Sequence, residues 1–244
     1  MMVLAGADLV LPDRVVERGS LVIHDGRIEA VEARVIDGPA GGMRVDCSGH
    51  VIAPGFIDVH VHGVDGIDVL DGGSAVAEVA RRLPKFGVTA FCPTSVACDP
   101  STLAELLTAV QAARASRPPQ SARVLPAHLE SNFINPDWNG AQPRRCLRLP
   151  PSPKLEVRSE KLEGEFSAAD ILGVIAAHRS AAGIITLAPE LPGALDLVRA
   201  FVAAGHRVSI GHTGANYDEA RAAIEAGARH VTHLFNRMSS MTSR

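Results

Sequence analysis

The chain has 244 residues, 46% of them hydrophobic, with a net charge of −3 and a pI near 6.4. That is enough apolar material for one α/β barrel or two smaller domains. The absence of basic runs and the presence of only one Trp and one Tyr argue against nucleic-acid binding, and no stretch reaches the ~18 uninterrupted apolar residues of a membrane helix.

The opening Met1–Leu11 is apolar but carries Asp8 and lacks a basic start, so it reads as a strand and not as a leader. Leu21–His24 and Arg27–Val31 flank Asp25-Gly26, a dipeptide suited to the positive φ values of a type I′ hairpin turn. Residues 1–53 are therefore expected to form a small β module, half of a β-sandwich. From residue 54 the pattern changes to strand, loop, helix. Strand-like runs recur at 56–62, 88–94, 124–131, 184–190, 207–213 and 230–236. Helical stretches lie at 74–86, 101–115, 168–181, 192–204 and 216–227. This alternation predicts α/β architecture with parallel strands and crossover helices: an incomplete (β/α)8 TIM-type barrel of about six strands over 54–244. The segment 132–165, rich in Pro, Arg and Asn, is too long for an ordinary connection and is expected on the substrate side. Cys47, Cys92, Cys98 and Cys146 form no C-x-x-C pair, so reduced structural cysteines in a cytoplasmic protein are expected.

Polar residues at strand ends carry the chemistry of such barrels. His60 and His62, two apart on an apolar strand, point to one face, and neutral imidazole is a good ligand for divalent transition metals. A bare His-x-His is weak evidence alone; two polar residues at a strand end is the bland alternative. Glu130, His212 and His233 also end strands. Together these five suit one or two divalent ions with an open water position. His128 lies deeper and is expected to be a buried, hydrogen-bonded core residue. Glu190 is expected to anchor a loop, and Cys92 and Thr94 to pack. His24, His50, His178 and His206 read as surface residues, and His230 as structural.

These positions, with Pro54–Gly63, His128-Leu129-Glu130, Asn139–Pro143, Thr186–Glu190, Gly211-His212-Thr213 and Thr232–Met238, resemble the N-acetylglucosamine-6-phosphate deacetylase family of the amidohydrolase superfamily. The resemblance covers nearly the whole chain and implies a metal-dependent hydrolase that removes the N-acetyl group of an amino sugar phosphate. It implies Glu130, His212 and His233 as metal ligands, with His60 and His62 as a second metal position. Zinc is the first expectation, with iron, manganese or cobalt also suited to such donors. It further implies Ala141, Gln142, Asn236, Arg237 and Arg244 as substrate-binding residues, Arg244 reaching the sugar phosphate in the neighbouring subunit of a homodimer. Glu130-Ser131-Asn132-Phe133 and Gln142 depart from the commoner family pattern.

The family's general acid–base aspartate follows an eighth strand, beyond residue 244, so no catalytic residue is assigned within the chain. A truncated gene or partial reading frame is expected, with doubtful activity for these residues alone and an unpaired sixth strand. Two other readings compete: another amidohydrolase acting on a cyclic amide or N-acyl amino acid, and a non-catalytic metal-binding fragment.

Overall fold

The computed structural model describes residues 1–38, 40–151 and 165–239. The chain divides into two units, Met1–Gly55 and Phe56–Arg244. The first is a five-stranded sheet of β1 (Met2–Val10), β2 (Val15–His24), β3 (Arg27–Glu32), β4 (Met43–Asp46) and β5 (Val51–Ile52). β1 pairs antiparallel with β2 and parallel with β4 and β5, while β2 and β3 form the expected hairpin. Its turn has φ of 49° at Asp25 and 73° at Gly26, the backbone that this dipeptide tolerates. Ala7, Leu9 and Leu21 form its buried cluster.

The second unit begins with β6 (Phe56–Val61), followed by a short hairpin of β7 (Gly63–Val64) and β8 (Ile67–Asp68) and by α1 (Ala75–Arg82). Then come β9 (Val88–Ser95), α2 (Pro100–Ala115), β10 (Arg123–Val124), β11 (Ala127–Glu130), α3 (Ala168–Ala177), β12 (Ala182–Leu187), α4 (Ala194–Ala203), β13 (Arg207–Ile210), α5 (Tyr217–Ala226) and β14 (His230–Val231). β10 and β11 are one barrel strand interrupted at Leu125-Pro126, because proline cannot donate to the ladder. The parallel order is therefore β6, β9, β10/β11, β12, β13, β14, the chain order of a curled half-barrel.

Leu103, Leu107 and Val110 of α2, Ile171 and Ile175 of α3, and Val198 and Phe201 of α4 pack on Phe91, Leu129, Ile185 and Val208 of the strands. Three of the five described α-helices, α2, α3 and α5, start at side-chain caps. Asp99 accepts from the Ser101 and Thr102 amides at the head of α2, and Ser167–Asp170 and Asn216–Glu219 close capping boxes on α3 and α5.

The last two strands are shorter than their apolar runs predict. β13 stops at Ile210 and β14 at Val231, just before His212 (φ 49°) and His233 (φ 33°). Both histidines sit in the left-handed region, which ends extended pairing. After His233 the backbone curls back, and Thr213 N–H donates to Arg237 O at 3.1 Å. Of the predicted 132–165 loop, residues 152–164 lie outside the described residues, as does Arg244.

Candidate metal centre

Glu130 ends β11 with its side chain buried, and its Oε1 stands 2.8 Å from both His212 Nε2 and His233 Nε2. The two imidazole nitrogens are 3.0 Å apart. The opposite ring nitrogens decide what these atoms are. His212 Nδ1 lies 2.8 Å from Trp138 O and His233 Nδ1 lies 3.0 Å from Asn236 O. A carbonyl can only accept, so each Nδ1 carries the proton and each Nε2 presents a lone pair. Two lone pairs and a carboxylate oxygen thus converge on one another, an arrangement that needs a shared cation, either a proton or a metal.

His60 and His62 lie beside this cluster. Their Nε2 atoms are 3.0 Å apart, and His62 Nε2 is 3.3 Å from Glu130 Oε2. His62 Nδ1 donates to Thr94 O at 3.0 Å, leaving its Nε2 for the centre. His60 lies 3.9 Å from Glu130 Oε1. Two groups could each hold a metal ion, His60–His62–Glu130 and Glu130–His212–His233, with ligand atoms in each within 4.8 Å of one another. The donor set fits divalent zinc, iron, manganese or cobalt.

Electrostatics of the cluster follow from burial and from Glu130. Burial pushes His60 down, only partly offset by the Glu130 charge. Burial also opposes protonation of His62, but the hydrogen bond and charge of Glu130 outweigh it and raise this group. Burial alone would raise the Glu130 carboxyl, yet hydrogen bonds with His212 and His62 hold it well below the usual carboxylate range. Burial pushes His128 down to about 3. Its Nδ1 donates to Val59 O at 2.9 Å and its Nε2 accepts from Thr186 Oγ1 at 2.7 Å, the hydrogen-bonded core role expected of it.

The loops that carry the other expected residues are tied to the same rim. Glu190 accepts from Asn135 Nδ2 at 2.8 Å, Gly214 N at 2.7 Å and Thr213 Oγ1 at 2.5 Å, so it anchors the turn that presents His212. Gly140 has φ +58°, and a Cβ there would lie 2.9 Å from Arg237 Nε. A side chain there would have to push the Arg237 side chain aside, so the glycine lets the exposed Ala141 loop lie close beside Arg237. Asn236 is exposed and supplies its carbonyl to His233. Gln142 is buried beside Glu130.

Three expectations need correction. Thr94 is more than packing: its carbonyl orients His62, and its hydroxyl accepts from Val61 N–H at 2.9 Å. His206 is buried, donating from Nδ1 to Ala182 O at 2.9 Å, because its loop folds under Phe201. His178 is half-buried, donating to Val174 O at the end of α3. The sequence gives no sign of the carbonyls of Thr94, Trp138 and Asn236, since a main-chain acceptor has no residue signature.

A curled half-barrel with histidines and a carboxylate gathered at its strand ends is the arrangement that the resemblance noted in the sequence implies. No protein-family profile matches the chain. It is 37% identical over 242 residues to the N-acetylglucosamine-6-phosphate deacetylase of Rattus norvegicus, covering 97% of this chain and 53% of that protein. A crystal structure of the Pasteurella multocida N-acetylglucosamine-6-phosphate deacetylase superposes with TM-score 0.83 at 24% identity, over 99% of this chain and 59% of that one. A mutant N-acetyl-D-glucosamine-6-phosphate deacetylase of Mycobacterium smegmatis, in complex with N-acetyl-D-glucosamine-6-phosphate, superposes with TM-score 0.79 at 28% identity, over 100% and 58%. The chain is a homologue of N-acetylglucosamine-6-phosphate deacetylases, and it spans about half the length of the curated relatives it matches.

Proposed function

We propose that Glu130, His212 and His233 hold a divalent metal, zinc in the first instance, with His60 and His62 offering a second position. We further propose that the complete protein hydrolyses the N-acetyl group of N-acetylglucosamine 6-phosphate to give glucosamine 6-phosphate and acetate. The observation that carries this reading is the convergence of two imidazole lone pairs and a carboxylate oxygen at 2.8–3.0 Å, with both outer ring nitrogens committed to carbonyls. A bound divalent cation supplies Lewis-acid polarisation of an amide carbonyl and acidifies water. The chain's own residues do the rest of the positioning. Trp138 and Asn236 fix the imidazole tautomers, and Glu190 holds the turn that presents His212.

In this reading Ala141, Asn236 and Arg237 line the sugar site, and Gln142 reaches it only with the amide hydrogen left over from its bond to Glu130. Arg244 binds the phosphate, and a guanidinium suits that role because its paired donors match phosphate oxygens. The proposal includes a homodimer in which Arg244 serves the neighbouring subunit, and a cytoplasmic location. Among the described residues no helix is long and apolar enough to cross a membrane.

The test uses the chelator-stripped chain. It is reloaded with zinc, then titrated calorimetrically with N-acetylglucosamine 6-phosphate and with N-acetylglucosamine. Metal uptake that disappears in His212→Ala is expected, with metal-dependent preference for the phosphorylated sugar. A folded chain that takes up no metal would remove the metal centre. Equal affinity for both sugars would remove the phosphosugar assignment.

A further inference from the structure

Gln142 is 4% exposed and both ends of its amide are engaged. Its Oε1 accepts from Ala97 N–H at 2.6 Å, and its Nε2 donates to Glu130 Oε2 at 2.5 Å. The Ala97 amide can only donate, so it fixes which end of the side chain meets the carboxylate. Flipping the amide would set N–H against N–H and carbonyl against carboxylate. The turn below is closed as well: Gln142 N–H donates to Asn139 O at 2.9 Å, and Asn139 Nδ2 donates to Gln142 O at 2.8 Å. Glu130 Oε2 is therefore gripped from a rigid loop, while Oε1 stands between His212 and His233 at 2.8 Å from each.

We propose that Gln142 is the positioning residue for Glu130. Its amide stops the carboxylate from rotating and keeps Oε1 aimed between His212 and His233. It also occupies a lone pair of Oε2, the oxygen that faces His62 at 3.3 Å. The consequence is one tightly held divalent cation at Glu130–His212–His233 and a weaker position at His60–His62. This rests on the metal reading above and adds which of the two positions dominates, and why.

Cobalt(II) is the probe, titrated into the chelator-stripped chain and followed by its visible absorption bands. The unaltered chain is expected to take up one equivalent tightly and a second weakly. Gln142→Met removes both amide bonds; the tight site should weaken about 10–100-fold, the usual penalty for losing a group that orients a ligand, with a shifted cobalt band. Gln142→Glu keeps the acceptor for Ala97, so it should fold. It replaces the donor with a carboxylate beside Glu130 Oε2, so the tight site should weaken as it does in Gln142→Met, while the second position, which gains a ligand, should bind more tightly than in the unaltered chain. Two tight equivalents in the unaltered chain would overturn the proposal. So would unchanged affinity and an unchanged band in a folded variant. If the unaltered chain binds no cobalt, or His212→Ala binds it equally well, the metal reading itself fails. A good His212-dependent site indifferent to Gln142 refutes only the role of Gln142.

Discussion

At the scale of single residues, three imidazoles of the rim, those of His62, His212 and His233, are defined by the carbonyl that the outer nitrogen touches. Strand-end position made His60, His62, Glu130, His212 and His233 candidates in the sequence, and the family resemblance separated them from His128 and Glu190, which also lie on or near strand ends. The carbonyls that orient those three imidazoles, and the grip of Gln142, needed the fold, because Thr94 and Trp138 come from other segments and the Asn236 carbonyl reaches His233 only where the backbone curls back. His206 shows the same limit from the other side. It follows Gly205 in a loop-like stretch, yet it is 6% exposed with its Nδ1 proton on Ala182 O. Burial, and then the nearby Arg179 charge, hold it below its ordinary value of 6.5. An unfolded chain therefore takes up a proton near pH 6.5 that the folded chain refuses. This contribution to stability is fully present above that pH and is lost as pH falls towards the folded value. One proton bounds the slope at about 1.4 kcal/mol per pH unit. His206→Asn can keep a donor near Nδ1 without the titration, so it should flatten the acid limb. Urea unfolding of both chains at several pH values between neutral and mildly acidic is the measurement, and parallel profiles would contradict this account.

At the scale of elements, alternation of strand and helix patterns made the order of the half-barrel legible, and the expected helix starts fall within two residues of those observed. Strand ends were the weak point. The apolar runs continue through Gly211 and Thr232, but the backbone leaves the ladder to enter the left-handed region at His212 and His233. Such strained conformations gather at functional sites, where surrounding contacts over-determine them. A polar ladder also crosses the barrel interior. His128 Nε2 meets Thr186 Oγ1, which meets Thr232 Oγ1, each at 2.7 Å; Thr232 meets Ser209 Oγ at 2.7 Å, and Ser209 meets His230 Nδ1 at 3.1 Å. Because His128 Nδ1 donates to Val59 O, Thr186 must donate to Nε2 and accept from Thr232. Thr186→Val keeps the shape and deletes the middle of this chain, leaving buried partners unpaired. A loss of roughly 1–3 kcal/mol is expected from that desolvation. Denaturant midpoints at equal slope would measure it; a variant as stable as the parent would show that the ladder is not needed.

At the scale of the whole chain, the parallel sheet of the second unit has an edge strand at each end among the described residues. β6 pairs with β9 on one side, and β14 pairs with β13 on one side, among the described residues. Large apolar side chains sit along both: Phe56, Ile57 and Phe86 are 68%, 65% and 50% exposed beside β6, and Leu234 and Phe235 are 58% and 66% exposed after β14. An unpaired strand edge offers free N–H and C=O groups to any second chain, and natural edges are usually blunted by charge, proline or a covering element. None of these five side chains is charged, and contiguous apolar surface adds its own drive for association. The 244-residue chain is therefore expected to self-associate through these edges. Its sedimentation coefficient should rise with concentration, and it should bind a dye that reports exposed apolar surface. A double substitution, Ile57→Lys with Phe235→Lys, places a charge at each edge and should lower both signals without disturbing the metal centre, whose ligands these residues are not. Sedimentation of the unaltered chain as a single species independent of concentration would refute the expectation. Association that survives the double substitution would move the sticky surface elsewhere, and the first unit would then be the place to look.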